Sequence, residues 1–266
     1  MKRTFPGLLI AGFWLLLLLK GSLLLFCLVV TCVVLLAAAE YVKMVDRRPL
    51  PGGERWLLHA IVSFPVIWAC IWPSLSMLPL GLLLSFICIT AYCFYRYTEI
   101  GDSYGLFSRF GFGILYIGLL GSHVVLLRFL PEGGSWLIIA SAVTASSDSG
   151  AYFVGRAWGK RKLCPNISPK KTVEGAFGGV ISGLIAAVLF ALLLLPDVSW
   201  LFLLCTAIGL GLVGIAGDLT ESIIKRGTDT KDSGNILAGH GGILDRVDSL
   251  LFVCPVLYYL LVLPGV

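Results

Sequence analysis

The chain has 266 residues, of which 58% are hydrophobic and only 13% are charged. Soluble domains carry about 25% charged residues, so this composition excludes an ordinary soluble enzyme and indicates a polytopic membrane protein. The formal net charge of +5 is informative only through its distribution along the chain.

The N-terminal apolar run is the first predicted element, and it raises the question of a signal peptide. Lys2 and Arg3 precede the run, and the alanines at 37–39 resemble a cleavage site. However, the run is more than twice the ~7–15 residues of a signal-peptide apolar region, and it exceeds the ~20 residues of one span. Because Lys20-Gly21-Ser22 divides it, we predict a retained helical hairpin.

Further apolar runs predict an all-α integral membrane protein with about nine transmembrane helices. Tryptophans such as Trp56 and Trp136 stand at the ends of several runs, as is typical of the membrane interface. The predicted spans are 5–19, 22–42, 56–72, 76–95, 110–130, 135–155, 175–195, 199–224 and 243–263.

Nine spans distribute the basic residues very unevenly between the two sides of the membrane. With the N-terminus on side one, every lysine and arginine lies on that side except Lys20 and Arg128. The positive-inside rule makes side one cytoplasmic. We therefore expect a protein of the inner (cytoplasmic) membrane with a cytoplasmic N-terminus, a C-terminus on the opposite side, and any chemistry in the cytoplasmic segments 96–109, 156–174 and 225–246.

Eight cysteines occur in the chain, and no two of them form a CxxC pair. All but Cys164 fall in apolar runs. We interpret them as small core residues and not as a disulfide framework or a zinc site.

The eighth predicted span ends in a group of polar side chains. If residues 217–226 are helical, Asp218, Glu221, Ser222 and Lys225 share one face, since they are separated by three or four residues. The ninth span begins with a second such face.

Asp245, Asp248 and Ser249 form that second face. Converging carboxylates require counter-charge, and their oxygens are the hard ligands that Mg²⁺ prefers alongside waters and substrate phosphates. Carboxylates and basic groups in one site are typical of phosphoryl or nucleotidyl transfer. The basic residues available in this region are Lys225, Arg226, Lys231 and Arg246.

The loop between the two faces is rich in glycine. Gly239, Gly241 and Gly242 allow backbone N–H groups to approach an anion closely, and the N-terminus of the ninth helix would point to the same place. His240 has two interpretations, either a loop histidine in a local hydrogen bond or a phosphate contact, because histidine serves many roles.

Two segments resemble the phosphatidate cytidylyltransferases, which are the CDP-diacylglycerol synthases. The first consists of Ser222-x-x-Lys225-Arg226, then Lys231-Asp232-x-Gly234, then His240-Gly241-Gly242-x-x-Asp245-Arg246-x-Asp248. It departs mildly from the family at Ala238-Gly239, where Pro-Gly is common. The second consists of Asp148, Gly150, Ala151, Tyr152, Gly155, Arg156, Gly159, Lys160 and the run Ile167 to Gly175.

The resemblance covers roughly 135–255, and the first four spans carry no motif. It implies two regions, an N-terminal scaffold with lipid contact at 1–130 and a C-terminal catalytic region at 131–266. The implied reaction converts CTP and phosphatidate to CDP-diacylglycerol and pyrophosphate, with Mg²⁺ as cofactor and a second cation left open. The implied partners are these two substrates, membrane lipids and a second copy of the chain, with no nucleic acid.

The resemblance also implies roles for individual residues. The expected metal ligands are Asp218 and Asp245. Asp248 is either a further metal ligand or a hydrogen-bond partner of the ligands, and Glu221 is a weaker candidate. Asp148 has two interpretations, metal ligation or pairing with Arg156. The expected catalytic residues are Asp218, Asp245, Asp248, Lys225 and Arg226. The expected substrate-binding residues are Ser222, Lys231, His240, Gly241, Gly242, Arg246, Ser168, Lys170, Lys171, Thr172 and Arg156.

The basic loop 156–171 has an alternative interpretation, because its charge alone would orient the protein and attract anionic lipid headgroups. The core Ser168 to Thr172 favours substrate binding, and we expect Thr172 and Glu174 to orient this loop.

Three other protein classes share features with this sequence. CDP-alcohol phosphotransferases carry an Asp-Gly…Ala-Arg…Gly…Asp…Asp pattern that is absent here. Polyprenol kinases related to the cytidylyltransferases remain a closer alternative. An ion-coupled transporter with Asp148 and Asp218 in its pathway is disfavoured, because the sequence shows no internal repeat and its acids gather at one face.

Overall fold

A computed structural model describes residues 4–48, 51–234 and 241–263, and most of this part of the chain is helical. Its ten α-helices are α1 (Thr4–Lys20), α2 (Leu23–Val45), α3 (Gly52–Ile71), α4 (Leu78–Tyr95), α5 (Ser103–Gly113), α6 (Leu120–Arg128), α7 (Gly133–Trp158), α8 (Val173–Leu194), α9 (Trp200–Gly227) and α10 (Leu244–Val262). A 3₁₀ turn, Leu75–Met77, precedes α4, and a π-helical turn, Ile114–Leu119, joins α5 to α6.

Seven helical segments in the described residues are long and apolar enough to cross a membrane. They correspond to the second through eighth predicted spans, so the all-α polytopic fold is confirmed. The seven are Leu23–Val45, Gly52–Ile71, Leu75–Tyr95, Ser103–Arg128, Gly133–Trp158, Val173–Leu194 and Trp200–Gly227. The predicted spans at the two ends of the chain correspond to α1, whose apolar part is the shorter Gly7–Lys20, and to α10, which has charged residues in its first turns.

Capping residues mark several of the helix starts. Ser22 accepts a hydrogen bond from the backbone N–H of Leu25 (3.2 Å), which ends the N-terminal run as predicted and starts α2. Thr172 in the same way accepts from Gly175 N (3.1 Å) at the start of α8. A side-chain oxygen at this position satisfies a backbone donor that the helix itself leaves unpaired.

The one sheet in the described residues is a two-stranded antiparallel hairpin between α7 and α8. Its strands are β1 (Lys162–Cys164) and β2 (Ser168–Thr172). The two flanking helices pack closely along their length, so the hairpin stands at the end of a fixed helix pair.

The α9–α10 contact depends on a glycine. A Cβ atom on Gly217 would lie 2.8 Å from the carbonyl oxygen of Asp248 and 3.0 Å from Cα of Ser249. Real Cβ atoms do not tolerate so short a contact with backbone, so only glycine permits α9 to approach α10 here. This approach brings Asp218, the next residue, beside the first turns of α10.

The polar groups of these helices meet at one end of the bundle, which we call the polar end. It comprises the C-terminal ends of α2, α7 and α9, the β1–β2 hairpin, and the start of α10. Helices from both predicted regions contact one another, because α10 packs against α2 and α6, and α1 packs against α7. The division near residue 130 remains a prediction.

Candidate active site

Asp218 and Lys171 form an ion pair at the polar end. Asp218 lies in the last third of α9, Lys171 lies on β2, and Nζ is 2.5 Å from Oδ2. The pair lines a cavity of about 260 Å³. Other residues around this cavity are Ser147, Asp148, Tyr152, Lys170 and Thr172. Two of the predicted motif segments, which are far apart in the sequence, therefore face one space.

Asp148 reaches the same cavity from α7. It lies close enough to Asp218, Lys171 and Arg246 for their charges to interact. The described residues show no ion pair between Asp148 and Arg156; instead Arg156 donates a hydrogen bond to the Tyr152 hydroxyl (3.1 Å). The pairing interpretation of Asp148 is therefore not what the structure shows, and its metal role stays a prediction.

Asp248 is the most buried of the four aspartates that were predicted as metal ligands, with 7% exposure. Its Oδ1 accepts a hydrogen bond from Ser249 N (2.6 Å), and its charge interacts with those of Asp218 and Asp148. Ser249 in turn donates to the carbonyl oxygen of Gly214 in α9 (3.1 Å), which fixes the first turns of α10. The carboxylates of Asp148 on α7, Asp218 on α9 and Asp248 on α10 thus lie near one another.

Lys225 connects α9 to α10. Its Nζ lies 2.5 Å from Oε2 of Glu221 and 2.8 Å from Oδ1 of Asp245. The side chain of Glu221 is only 1% exposed and that of Lys225 is 15% exposed. The predicted one-sided face of α9 is confirmed for this pair. Lys225 therefore supplies counter-charge to two acids, as the sequence indicated, and its expected contact with a substrate phosphate stays a prediction.

Asp245 also organises the glycine-rich loop. Its Oδ2 accepts hydrogen bonds from Gly242 N (2.8 Å) and Ser233 N (3.2 Å). Gly241 adopts a φ of +79°, and a Cβ atom there would lie 2.7 Å from the same oxygen, so glycine is needed at this position. The predicted metal ligand is thus engaged by a lysine and two backbone amides in this structure.

The β1–β2 hairpin is held against α9. Arg226 Nε donates to the carbonyl oxygen of Ile167 (3.3 Å). Glu174, in the first turn of α8, accepts hydrogen bonds from the backbone N–H of Lys160 (3.0 Å) and Arg161. Glu174 thus holds the start of the basic loop, as expected, whereas Thr172 caps α8. Arg226 links the hairpin to α9.

The remaining predicted substrate-binding residues differ in how far their side chains are exposed to solvent. Ser168 and Ser222 are partly buried. Arg156, Lys170, Lys231 and Arg246 are exposed. His240 lies outside the described residues. Their contacts with substrates remain predictions.

A metal site is only partly formed by these side chains. Within residues 4–48, 51–234 and 241–263, no group of three His, Cys, Asp or Glu side chains makes a ready metal cage. Asp148, Asp218 and Asp248 nevertheless concentrate negative charge beside Lys171. This donor set fits Mg²⁺, which usually binds one or two carboxylates and completes its coordination with waters and phosphates.

A second cavity at the polar end, of about 530 Å³, holds none of the predicted site residues. Its lining contains three arginines and three aspartates, so their charges balance and leave little excess positive charge with which to bind an anion. The charged residues are Arg47, Arg48, Arg109, Asp46, Asp102 and Asp229.

Sequence reasoning missed two residues that come from the N-terminal helices. Glu40 of α2 is 3% exposed and accepts hydrogen bonds from the start of α10. An acid within a predicted span was the signal that could have found it. Tyr116, in the π-helical turn, has a buried hydroxyl with no hydrogen-bond partner among the described residues, and it lies close to Asp248. A π-helical turn leaves no recognisable sequence signal.

Comparison with known proteins gives a match to a family described as the Cytidylyltransferase family, over residues 1–263. A phosphatidate cytidylyltransferase of Bacillus subtilis is 40% identical over 219 residues, covering 77% of this chain and 79% of its own. Enzymes of the same name from Staphylococcus epidermidis and Staphylococcus aureus are 34% and 35% identical, and each alignment covers 98% of both chains. These matches include the N-terminal helices, in which the sequence shows no motif.

Proposed function

The chain belongs to the cytidylyltransferase family, and we propose that it transfers the cytidylyl group of CTP to phosphatidate, giving CDP-diacylglycerol and pyrophosphate. The relatives that carry this activity in their names align with most or all of the chain. The observation that supports the proposal most is the convergence of Asp148, Asp218 and Asp248 beside Lys171 at one end of the bundle.

The reaction joins two polyanions. A phosphate oxygen of phosphatidate attacks the α-phosphorus of CTP, a new P–O bond forms, and the bond to the β-phosphate breaks to release pyrophosphate. The second pKa of a phosphomonoester is about 6, so the nucleophile is largely ionised near neutral pH and needs no strong general base. The protein must align the reactants and offset their negative charge.

The residues of the polar end suit both tasks. Asp218, Asp248 and Asp148, with Asp245, would hold Mg²⁺, which when bound supplies positive charge to the phosphates. Lys170 and Lys171 line the same cavity as Asp218, and we propose that their ammonium groups bind phosphate oxygens. Further basic groups, Arg226, Lys231 and Arg246, lie on the segments around it.

We propose that the cavity lies where both substrates are available. We propose that α1 and α10 cross the membrane as well, which gives nine spans in all. The uneven distribution of lysine and arginine then orients the polar end toward the cytoplasm. CTP is a polar cytosolic molecule, whereas phosphatidate has its headgroup at the membrane interface. A homodimer in the inner membrane is part of the same proposal.

The test is a transfer assay on the purified full-length protein. CTP labelled at its α-phosphate is supplied with Mg²⁺ and vesicles that contain either phosphatidate or a polyprenol alcohol. The proposal predicts labelled CDP-diacylglycerol from phosphatidate and no labelled lipid from the alcohol. A second arm with γ-labelled CTP detects kinase activity, because a polyprenol kinase transfers that phosphate to the alcohol. Transfer to the alcohol alone would overturn the proposal.

A further inference from the structure

Glu40 lies at the end of α2, far in sequence from the predicted motifs. Its side chain is almost fully buried, with 3% exposure. Oε1 accepts a hydrogen bond from Ile243 N (3.0 Å), and Oε2 accepts from Leu244 N (2.9 Å) and from the Ser233 hydroxyl (3.1 Å). One carboxylate thus satisfies three donors from the two ends of the glycine-rich loop.

These contacts replace a local helix cap on α10. The residue at the N-cap position, Ile243, has no side-chain oxygen, and no side chain within the helix caps it. The first N–H groups of any helix lack partners within the helix, and a negative charge near them is stabilising. Hydrogen bonds to an ionised acceptor are also roughly twice as strong as neutral ones. Glu40 therefore anchors the start of α10 from a different helix.

The anchored segment carries the acidic site residues. Asp245 follows Leu244 directly, and Asp248 lies one turn further along α10. Ser233 is bound at its side chain by Glu40 and at its backbone N–H by Asp245. A shift of the α10 start would therefore move both acids relative to Asp218 on α9.

The chain leaves space for this carboxylate. A Cβ atom added at Gly242 would overlap Oε2 of Glu40, and one added at Gly234 would overlap Oε1. Two glycines of the predicted motif thus have a steric reason that does not involve a substrate anion. Glycine at positions 234 and 242 therefore leaves room for the Glu40 carboxylate to reach the start of α10.

We propose that Glu40 is a positioning residue, which holds the start of α10 so that Asp245 and Asp248 face Asp218. This inference rests on the proposed function, because that function assigns Mg²⁺ binding to Asp218, Asp245 and Asp248. Glu40 itself lies behind the backbone of α10 and is not assigned a contact with substrate or metal.

The test compares Glu40→Gln with a matched control, Glu54→Gln, in the full-length protein. Glu54 also lies in the N-terminal half and pairs with Arg96 and Tyr92 there. These contacts involve α3 and α4 and not α9 or α10. Glutamine keeps the volume of glutamate but replaces one acceptor oxygen by an NH₂ group, so at least one donor at Ile243, Leu244 or Ser233 loses its partner.

Two readouts are measured, and the first needs no substrate. Hydrogen exchange of the peptide that contains Ile243 and Leu244 should become faster in Glu40→Gln, on the order of tenfold, because its amides lose their acceptor. The second readout is kinetic. At saturating CTP, kcat should fall by about 10–100-fold and the Mg²⁺ concentration for half-maximal rate should rise, as is usual when residues behind metal ligands are changed. Glu54→Gln should match the unmodified protein in both.

The outcomes separate the inference from the proposed function. An unmodified protein without transfer activity contradicts the function, while the exchange readout still tests the anchoring. Exchange and kcat within twofold of the unmodified protein in Glu40→Gln would overturn the inference. If Glu40→Gln fails to fold, Glu40→Asp tests the inference instead. Aspartate keeps the buried charge, but its side chain is one methylene shorter, so the carboxylate lies further from its donors at the start of α10. An intermediate defect in both readouts supports the positioning role, and unchanged values contradict it.

Discussion

Lys225 of α9 binds Asp245 of α10 across 2.8 Å, and the same ammonium group lies 2.5 Å from Glu221 on its own helix. The three side chains are 15%, 13% and 1% exposed, respectively. Breaking a buried ion pair by removing one partner is strongly destabilising, because the other charge is left without compensation. Lys225 therefore couples the stability of the α9–α10 pair to the geometry of the acidic site.

The first prediction concerns this lysine. Lys225→Met leaves two acids without their counter-charge, so we expect a loss of stability of up to about 3–5 kcal/mol together with a loss of transfer activity. Thermal unfolding in detergent measures the stability. Adding Glu221→Gln should recover part of the stability, since one of the two uncompensated charges is then removed.

The control for Lys225 is an exposed ion pair at the same end of the molecule. Arg109 and Asp102 are 3.4 Å apart and have 41% and 66% exposed side chains, and exposed pairs contribute about 0–1 kcal/mol. Asp102→Asn should keep the helix cap on α5 and leave unfolding nearly unchanged. A Lys225→Met protein as stable as Asp102→Asn would show that the buried pair is not needed for stability.

The second prediction concerns Asp218. Asp218→Asn removes a charge from the convergence of acids, so Mg²⁺-dependent formation of CDP-diacylglycerol should fall by at least about 100-fold, on the scale of a lost charge contact at the reacting centre. The unfolding temperature should change little, because asparagine keeps the size of the side chain. Asp197→Asn, in the exposed turn before α9, is the matched control. Near-normal turnover in Asp218→Asn would remove this residue from the metal site.

The third prediction distinguishes substrate binding from topology in the basic hairpin. Lys171→Ala and Lys162→Ala remove the same charge from the same hairpin, but only Lys171 lines the cavity and pairs with Asp218. We expect Lys171→Ala to raise the KM for CTP by about tenfold or more, the scale of one charge-assisted hydrogen bond, and Lys162→Ala to leave it unchanged.

Orientation in the membrane is measured on the same two variants by labelling introduced cysteines from either side. Equal kinetic effects, or an inverted orientation with an intact enzyme in Lys171→Ala, would favour the interpretation that the hairpin charge serves topology alone.

The all-α fold and seven of the helices were predictable because apolar runs of this length have few alternatives in a membrane. The face of α9 was predictable too, since Asp218, Glu221 and Lys225 follow helical spacing. The partners of these residues were not. Lys171 and Asp218 belong to segments far apart in the sequence, and no local pattern specifies which lysine meets which acid.

Glu40 shows a different limit. Its acidic side chain stood out within an apolar span, but its role depends on the packing of α2 against α10, which only the three-dimensional structure shows. Asp245 is a similar case. The resemblance implied a metal role for it, which stays a prediction. Its bonds to Lys225 and to Gly242 N show that it also holds the glycine-rich loop.

The position of a divalent cation tests the proposed site most directly. The full-length protein with Mn²⁺ and a non-hydrolysable CTP analogue should give an anomalous scattering peak at the polar end, with carboxylate oxygens at about 2.0–2.2 Å, as for hard octahedral cations. We expect Asp218 and at least one of Asp148, Asp245 and Asp248 among the ligands. A cation bound without Asp218, or at the opposite end of the bundle, would contradict the proposed site.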